Sequence, residues 1–449
     1  MRMLKRLLIL FLVLSCHFVS LAQSKAWSFQ QCIDTALKLN INVNQVQLAN
    51  ESNKIDLEQV KANRIPSVNA NASEGFSIGT TINPTTNQYV TQGYNSTRFG
   101  INGSLNLFNG LQNANTIRQM VLNIKAGQLD IEKAKSDVIL SITTGYLQVL
   151  FSKEILETAK SQASATAAQV DRTEKMYNAG KSPESDLLQI RSQLATDNLA
   201  IITAENQLDM AKVTLMQLMF IPIVSDFDVI IPEMTEPTGS IVQSNEDIYK
   251  KALQVRPEIA SAEMETHSAQ MGIKISNGAR WPSLNLNANA TTNYASSRTK
   301  GSSVNPENYP FFMQIWDNLG QSFTLGLSIP IYSNRIIKSR IDQAKIAAMN
   351  AQLNEQLTQT QLRKTIEQTY VDLKGAAKKY EATKVQLNAV SSVYQNSEKK
   401  FNIGVMSATD FLIQKNNFTQ ALSSLIQSKY DYIFKSKILD FYQGKAINF

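Results

Sequence analysis

Two hydrophobic periods divide this chain. From Asn115 to Met219 the apolar positions recur every seven residues, as Ile117, Ile124, Ile131 and Val138 before a break and Leu187, Leu194, Ile201, Leu208 and Leu215 after it. Ile190, Ala204, Ala211 and Leu218 form a second row, interrupted at Asp197. Heptads sustained this long predict helices that pack along their whole length against partners of similar length. The break, from Met176 through Gly180, Pro183 and Asp186 to Leu188, predicts the turn of a helical hairpin. Its first arm, about Gln112 to Asn178, would measure roughly 100 Å at ~1.5 Å per residue. A compact domain has no use for such a rod.

The pattern occurs twice. Moving 224 positions on, Lys400 to Leu412 overlays the first turn, with Gly404 on Gly180, Asp410 on Asp186 and Tyr370 on Tyr146. Phe411, Phe418, Leu425, Tyr432 and Leu439 continue the heptad row in register with Leu187 to Leu215. The chain is a tandem duplication, which predicts internal pseudo-twofold repetition.

Ahead of each hairpin the period changes to two. Leu284, Leu286, Ala288, Ala290, Thr292 and Tyr294 alternate with Asn285, Asn287, Asn289, Thr291 and Asn293, and Phe323, Leu325, Leu327 and Ile329 alternate with Thr324, Gly326 and Ser328. In the first copy Phe99, Ile101, Gly103, Leu105 and Leu107 alternate with Gly100, Asn102, Ser104 and Asn106, opposite a weaker row of Val68, Ala70, Ala72, Phe76 and Ile78. Each copy therefore predicts a β-hairpin with one apolar face and one face of Asn, Ser, Thr and Gly. That pattern suits a membrane barrel with a wet interior; the competing reading, a soluble sandwich, would turn the apolar faces inward. Four strands cannot close a barrel, and open edges are intolerable in lipid. Two chains would give eight strands and a filled interior; three would give twelve and a lumen.

The remaining segments follow in order. Residues 1–22, basic at Arg2, Lys5 and Arg6 and apolar from Leu7 to Val19, read as a signal peptide cleaved after Ala22, although Cys16 stands in a loose lipoprotein box. Residues 23–66 and 245–282 carry the shorter helices of each copy, stopped by Pro66 and Pro282. Residues 67–108 and 283–332 hold the β-hairpins, and 109–220 and 333–442 the long helical hairpins. Residues 221–244 are irregular, with Phe227, Val229, Ile230 and Ile231 grouped as a short strand, and read as a collar against the rods with the tail 443–449. The loop from Ser296 to Gln321 carries Tyr309, Phe311, Phe312 and Trp316, which suit either the barrel mouth or the lipid interface.

Composition narrows the function by exclusion. Removing residues 1–22 takes away three cations and no acid, so the formal charge falls from +7 to +4. The remaining Lys and Arg are interspersed with acids and read as solvated helix faces, with no nucleic-acid patch. Cys32 is the one cysteine left and falls on an apolar helical face, as a core residue. His267 is the one histidine left and reads as a surface residue; Met264 and Met271 beside it read as packing. This inventory falls short of the usual zinc sets and of a catalytic constellation, so no enzyme activity, metal or cofactor is expected.

With a signal peptide, duplicated helical hairpins, a β-hairpin after Pro66 and after Pro282, tips reading Tyr177-Asn-Ala-Gly and Phe401-Asn-Ile-Gly, and Leu327-Ser-Ile-Pro-Ile-Tyr332 after the last strand, the chain resembles the TolC family of outer-membrane efflux proteins. The resemblance implies a mainly α fold with a membrane β-barrel. In it, long antiparallel helical hairpins build a trimeric α-barrel in the periplasm, continuous with a 12-stranded β-barrel in the outer membrane. It implies a homotrimer that meets outer-membrane lipid, a periplasmic membrane-fusion adaptor and an inner-membrane pump of RND or ABC type. The implied function is a passive exit duct, for small molecules or, alternatively, for polypeptides of type I secretion. A non-conducting coiled-coil spacer remains the competing class, but it has no use for paired amphipathic hairpins.

Two sets of candidate residues follow. The exposed tips Ala179, Gly180 and Lys181, with Ile403, Gly404 and Val405, would dock the adaptor, since loops on rigid scaffolds commonly carry recognition. Asp186 and Asp410 fall in the first turn after each tip, where a carboxylate also complements the helix N-terminus. Ser407 to Asp410 reads as a capping pattern, and Ser182 as a cap before Pro183 at the first helical position. The resemblance implies that Asp186, Asp410 and Phe401 belong to the periplasmic gate, where three chains would gather six carboxylates near one axis. The family pattern is departed from at Met406, in place of a basic residue, at Ile413, in place of an acid, and at Phe401, in place of a tyrosine.

Overall fold

The computed structural model describes residues 26–82, 87–91, 93–232, 244–302 and 305–447. The expected signal peptide, Cys16 and the Ala22 cleavage site lie outside these residues, as do residues 233–243 of the expected collar. The chain divides into two compact units, one of Met1–Val46, Asp130–Ile259 and Gln359–Phe449, the other of Gln47–Leu129 and Ala260–Thr358.

The first unit is helical. Helix α1 (Phe29–Leu39) opens on a capping box, in which Ser28 Oγ accepts from the Gln31 amide at 3.2 Å and Gln31 Oε1 accepts from the Ser28 amide at 2.9 Å. Asn40 ends α1 and starts α2 (Ile41–Ala62), its side chain accepting from the Val43 amide at 3.1 Å. The expected helical segment thus consists of two helices. The same break recurs 216 positions later, where Arg256 separates two helices that are taken up below with their partners. A capping asparagine and a proline at 257 are short-range stops that the apolar period does not register.

The two long hairpins match each other residue for residue. Helix α3 spans Gln112–Asn178 and α4 spans Glu184–Leu218. In the second copy the equivalents are Ile336–Asn402 and Ala408–Tyr442, again 67 and 35 residues. Left-handed backbone repeats at the same offset of 224: Gly110 and Leu111 with Asn334 and Arg335, Gly180 with Gly404, and Phe220 with Gly444. The heptad residues Leu187, Leu208 and Leu215 are buried, as are Phe411 and Leu439. Around Tyr146, Ile142 and Leu150 of α3 the core gathers Phe29, Cys32, Ile33 and Ala36 of α1 with Leu215 and Met216 of α4. Burial pushes the Cys32 thiol up to about 12, so it sits there as an inert apolar residue.

The segment after α4 is pinned to this core. Trp27 and Val229 form an isolated parallel bridge, so the expected short strand is a single bridge flanked by irregular chain. The Tyr146 hydroxyl donates to the Ile230 carbonyl at 2.6 Å, and Phe227 and Val229 are buried. Asp228 takes Lys153 at 2.8 Å and Lys212 at 3.3 Å. Burial opposes its charge, but the two ammonium groups and the Val229 amide outweigh that and hold the carboxyl below its ordinary value.

The second unit carries the sheet. Strands β1 (Ser67–Ser77), β4 (Tyr94–Asn109), β5 (Ser283–Ala295) and β8 (Gly320–Ser328) pair in the order β1-β4-β5-β8, all antiparallel. The short β2 (Thr80–Ile82) and β3 (Tyr89–Thr91) extend the first hairpin. The second loop is ordered where described, with β6 (Thr299–Ser302), β7 (Asn305–Asn308) and a short helix (Phe311–Asp317). Two further pairs complete the helices. The first is α5 (Asn245–Val255) and α6 (Pro257–Gly278), which flank Arg256; the second is α8 (Ile336–Asn402) and α9 (Ala408–Tyr442). The short helix between β7 and β8 is therefore α7. Among the described residues no helix is long and apolar enough to cross a membrane.

The register keeps the two faces of the sheet apart. Asn69, Asn102, Asn289 and Ser322 stand in one cross-strand row, and Ala70, Ile101, Ala290 and Gln321 in the next. A bulge between Asn106 and Phe108 shifts the alternation, so Phe108 rather than the expected Leu107 stands opposite Leu284. The polar face carries one charged residue, Arg98, between Ser73 and Asn293. Apart from Gln321 on the edge strand and Thr292, the other face is apolar from the level of Leu284 to that of Phe99, then turns polar where Thr97 donates to the Glu74 carboxylate.

Candidate functional site

Both tips close in the same way, as the matching glycines predict. At the end of α3 the Lys181 amide bonds the Met176 carbonyl and the Gly180 amide bonds the Tyr177 carbonyl, both at 2.8 Å. At the end of α8 the Val405 amide reaches Lys400 and the Gly404 amide reaches Phe401, both at 3.0 Å. These are paired Schellman caps, which need a left-handed residue at the position that Gly180 and Gly404 fill with φ of 72° and 78°. A Cβ on Gly180 would touch nothing within 4 Å, and one on Gly404 only Met176 Cε at 3.9 Å. The glycines are required by conformation, with room to spare. Ala179, Gly180, Lys181, Ile403, Gly404 and Val405 are all exposed, Ile403 at 74% and Val405 at 68%.

The two tips are tied side by side. Gln169 Nε2 donates to Asn402 Oδ1 at 3.3 Å, and Thr409 Oγ1 donates to Gln189 Oε1 at 3.0 Å. Asp410 adjoins one end of that second bond, and Asp186 lies one helical turn before the other. Ser407 caps α9 by accepting from the Asp410 amide at 3.1 Å, and its hydroxyl also donates to Asp410 Oδ2 at 2.8 Å. The capping pattern read at Ser407 is therefore present. At the first tip it is not: α4 begins at Glu184, Pro183 occupies the cap position without a side-chain bond, and Ser182 donates to Asp186 Oδ2 at 3.3 Å. Proline at the cap removes the expected role of Ser182, because the turn reaches helical geometry one residue later. Asp410 is exposed and Asp186 half-buried.

Phe401 is packed in an apolar cluster. It is buried, its ring stacked on Phe411 with centroids 4.8 Å apart and planes 4° from parallel. Ile190 and Ala408 complete the cluster, with Val170, Tyr394 and Met406 packed against it. Tyr394 stacks on Phe418 at 4.9 Å and extends the column. Ile413 remains half exposed. Phe401 thus forms the packed base beneath the tips.

A group that periodicity alone leaves without a partner joins the hairpins further along. Lys415 of α9 is 2% exposed and places Nζ 2.5 Å from Asp197 Oδ2 of α4. Both contact Thr166 of α3, and Gln193 Nε2 donates to the other Asp197 oxygen at 2.8 Å. Burial outweighs the nearby carboxylate and lowers the Lys415 pKa below its ordinary value. The interruption of the heptad row at Asp197 was the visible signal. Its duplicate position is Ala421, so the repeat offers no clue to Lys415.

His267 is exposed, 3.6 Å from Glu263, and no cluster of three metal-ligating side chains occurs among the described residues. An open groove of about 750 Å³ extends the polar face of the sheet, lined by Ser67, Ser104 and Asn106 together with Gln59, Asn63 and Gln112. Its lining is rich in amides and free of charge.

The profile of the family described as Outer membrane efflux protein matches residues 32–219 and 248–444, one block per repeat. The chain is 23% identical over 341 residues to Outer membrane protein TolC of Escherichia coli K12, covering 74% of this chain and 66% of that one, just under two thirds of its length. It is 20% identical to Outer membrane efflux protein BepC of Brucella suis, over 76% and 70% of the two chains. Among solved structures it superposes on CusC with a TM-score of 0.77 at 17% identity, covering 93% and 92%. The CmeC outer membrane channel of Campylobacter jejuni gives 0.73 at 19%, covering 93% and 85%. The fold is that of these channels, and the chain belongs to the outer membrane efflux protein family.

Proposed function

We propose that three copies of this chain close one twelve-stranded barrel in the outer membrane and form the passive exit duct of a tripartite pump. The observation that carries this reading is the sheet. It leaves two unpaired edges, β1 and β8, which run in opposite directions because all three pairings are antiparallel. A β8 edge can therefore pair antiparallel with β1 of the next copy, and closure removes every edge. Phe323, Leu325, Leu327 and Ile101 are large, apolar and exposed in the single chain, a face fitted to lipid. The opposite face, of Asn, Ser, Thr and Gly, suits a wet lumen that holds polar solutes weakly.

The tips supply the other half of the reading. Ile403 and Val405 beside Gly404, and Ala179 and Lys181 beside Gly180, would receive the periplasmic adaptor, which links the duct to an inner-membrane pump. Asp186 and Asp410 of three copies would line the entrance, with Phe401 as its buried base. Small molecules are the proposed cargo, since the amide-lined polar face offers no charged or apolar track for an unfolded polypeptide.

The test is the native mass and single-channel conductance of the detergent-extracted protein. A trimer that opens discrete conductance steps in a planar bilayer is the expected result. A monomer, or a trimer that never conducts, would leave the coiled-coil spacer as the better account.

A further inference from the structure

We infer that helix α7 is an interfacial anchor, seated on the lipid-facing side of the sheet with Phe312 and Trp316 in the headgroup region of the outer membrane. The inference rests on the proposal that the apolar face of the sheet meets lipid.

The seat of α7 fixes which face it covers. Thr292 pairs with Phe99, so Thr292 and Tyr294 of β5 lie on the apolar side. The Thr292 hydroxyl donates to the Ile315 carbonyl at 2.6 Å, and the Tyr294 ring lies 4.9 Å from Phe311. Gln314, 1% exposed, clamps the helix to the strand: it accepts from the Ala295 amide at 3.1 Å and donates to the Ala295 and Tyr309 carbonyls at 3.2 and 2.7 Å. Asn318 donates to the Asn293 carbonyl at 2.7 Å at the other end. A helix held over Thr292 and Tyr294 cannot plug a lumen lined by Asn289, Thr291 and Asn293. This selects one of the two settings that the sequence leaves open for these aromatics.

The outer surface of α7 then presents Phe312 at 83% exposure and Trp316 at 78%, four positions apart on one side, with Met313 and Leu319 half exposed. Their level along the strand is informative. The apolar band runs from Leu284 to Thr292, about 27 Å of strand at ~3.4 Å per residue, and gives way to Glu74, Thr97 and Tyr294 at the height of α7. Amphipathic aromatics at the border of such a band match the aromatic girdles of membrane barrels. A second copy is a poor occupant, because β5 is a central strand and the edges open to a neighbour are β1 and β8.

The experiment uses the full chain in vesicles, with Trp27→Phe and Trp281→Phe leaving Trp316 as the fluorophore. Lipids brominated near the headgroup should quench its emission more than lipids brominated deep in the acyl chain, and aqueous iodide should quench it little. A companion variant with Trp316→Phe and Leu325→Trp in the same background reports the lipid-facing band itself and should respond to deep bromines. Strong iodide quenching of Trp316 with no bromolipid effect, while Leu325→Trp responds to lipid, would overturn the anchor alone. A Leu325→Trp reporter blind to lipid would overturn the orientation of the sheet instead. Should the tryptophan-depleted background not assemble, environment-sensitive dyes on Phe312→Cys and, separately, on Leu325→Cys give the two readings, Cys32 being buried.

Discussion

Lys415 Nζ of the second repeat lies 2.5 Å from Asp197 Oδ2 of the first, in a site where both side chains are withdrawn from solvent. The pair has no counterpart in the duplicated positions, so it breaks the symmetry of the two hairpins where their packing would otherwise be interchangeable. A buried ion pair is a weak source of net stability but a strong constraint on register, because any other alignment strands a charge. Lys415→Met alone should cost about 3–5 kcal/mol by leaving Asp197 unpaired, whereas Asp197→Leu with Lys415→Met should be near neutral. Thermal unfolding of the parent, both single variants and the double variant checks this. Additive losses in the double variant would mean that the pair contributes as two separate residues.

The tips make a conformational prediction. Gly180→Leu or Gly404→Leu should abolish efflux and adaptor crosslinking while trimers still reach the outer membrane. Each substitution places a side chain in a left-handed conformation, at a cost of roughly 1–2 kcal/mol. Gly180→Asn, which tolerates that geometry, should retain most function. Efflux assays with crosslinking at Lys181 decide it, and normal activity in both leucine variants would remove the tips from the interface.

Asp228 makes a prediction about acid. Its folded pKa lies below the ordinary value of 3.8, so the unfolded chain takes up the proton first as pH falls. The stability it contributes is complete above that value and is lost as pH drops through the folded pKa. Hydrogen exchange at the Trp27 and Ile230 amides, which bond across this segment, should show protection at neutral pH that weakens below pH 3.8. Asp228→Asn should lose part of that protection already at neutrality, and identical profiles for both proteins would contradict the assignment.

The sheet makes a prediction about lipid. Phe323 pairs with Ala288, halfway along the apolar band. Phe323→Arg should cost about 2–4 kcal/mol if that level is the bilayer midplane, and Thr324→Arg, on the opposite face, should be far milder. Equal trimer yield from the two variants in outer-membrane fractions would contradict the barrel.

What could be read from the sequence was whatever is periodic or duplicated. Heptads located α3 and its 67-residue extent, and alternation located the two faces of the sheet. The offset of 224 located Gly180 and Gly404, whose shared left-handed geometry follows from local backbone sterics. Contacts between residues far apart in the chain were not legible. Nothing near Asp197 names Lys415, nothing near Phe401 says that it stacks on Phe411, and the seat of α7 depends on a clamp between Gln314 and Ala295. Single-residue events were also lost: the Asn40 break, the bulge that replaces Leu107 by Phe108, and the cap that moves from Ser182 to Pro183. Each is set by one residue's local geometry, which the pattern of apolar positions does not register.

On the function proposed above, Asp186 and Asp410 make the tips the acidic entrance of a conducting duct. Arg98 is the one charge on the polar face of the described sheet, so that face carries no carboxylate, and on the proposed function cation preference should originate at Asp186 and Asp410. Bilayer recording of Asp186→Asn with Asp410→Asn decides it, because asparagine also serves near helix starts and should leave the fold intact. The predicted result is a conducting trimer that has lost cation selectivity and block by multivalent cations, each single variant losing part of both. Selectivity and block identical to the parent protein would contradict the claim and leave the two aspartates as helix-end residues only.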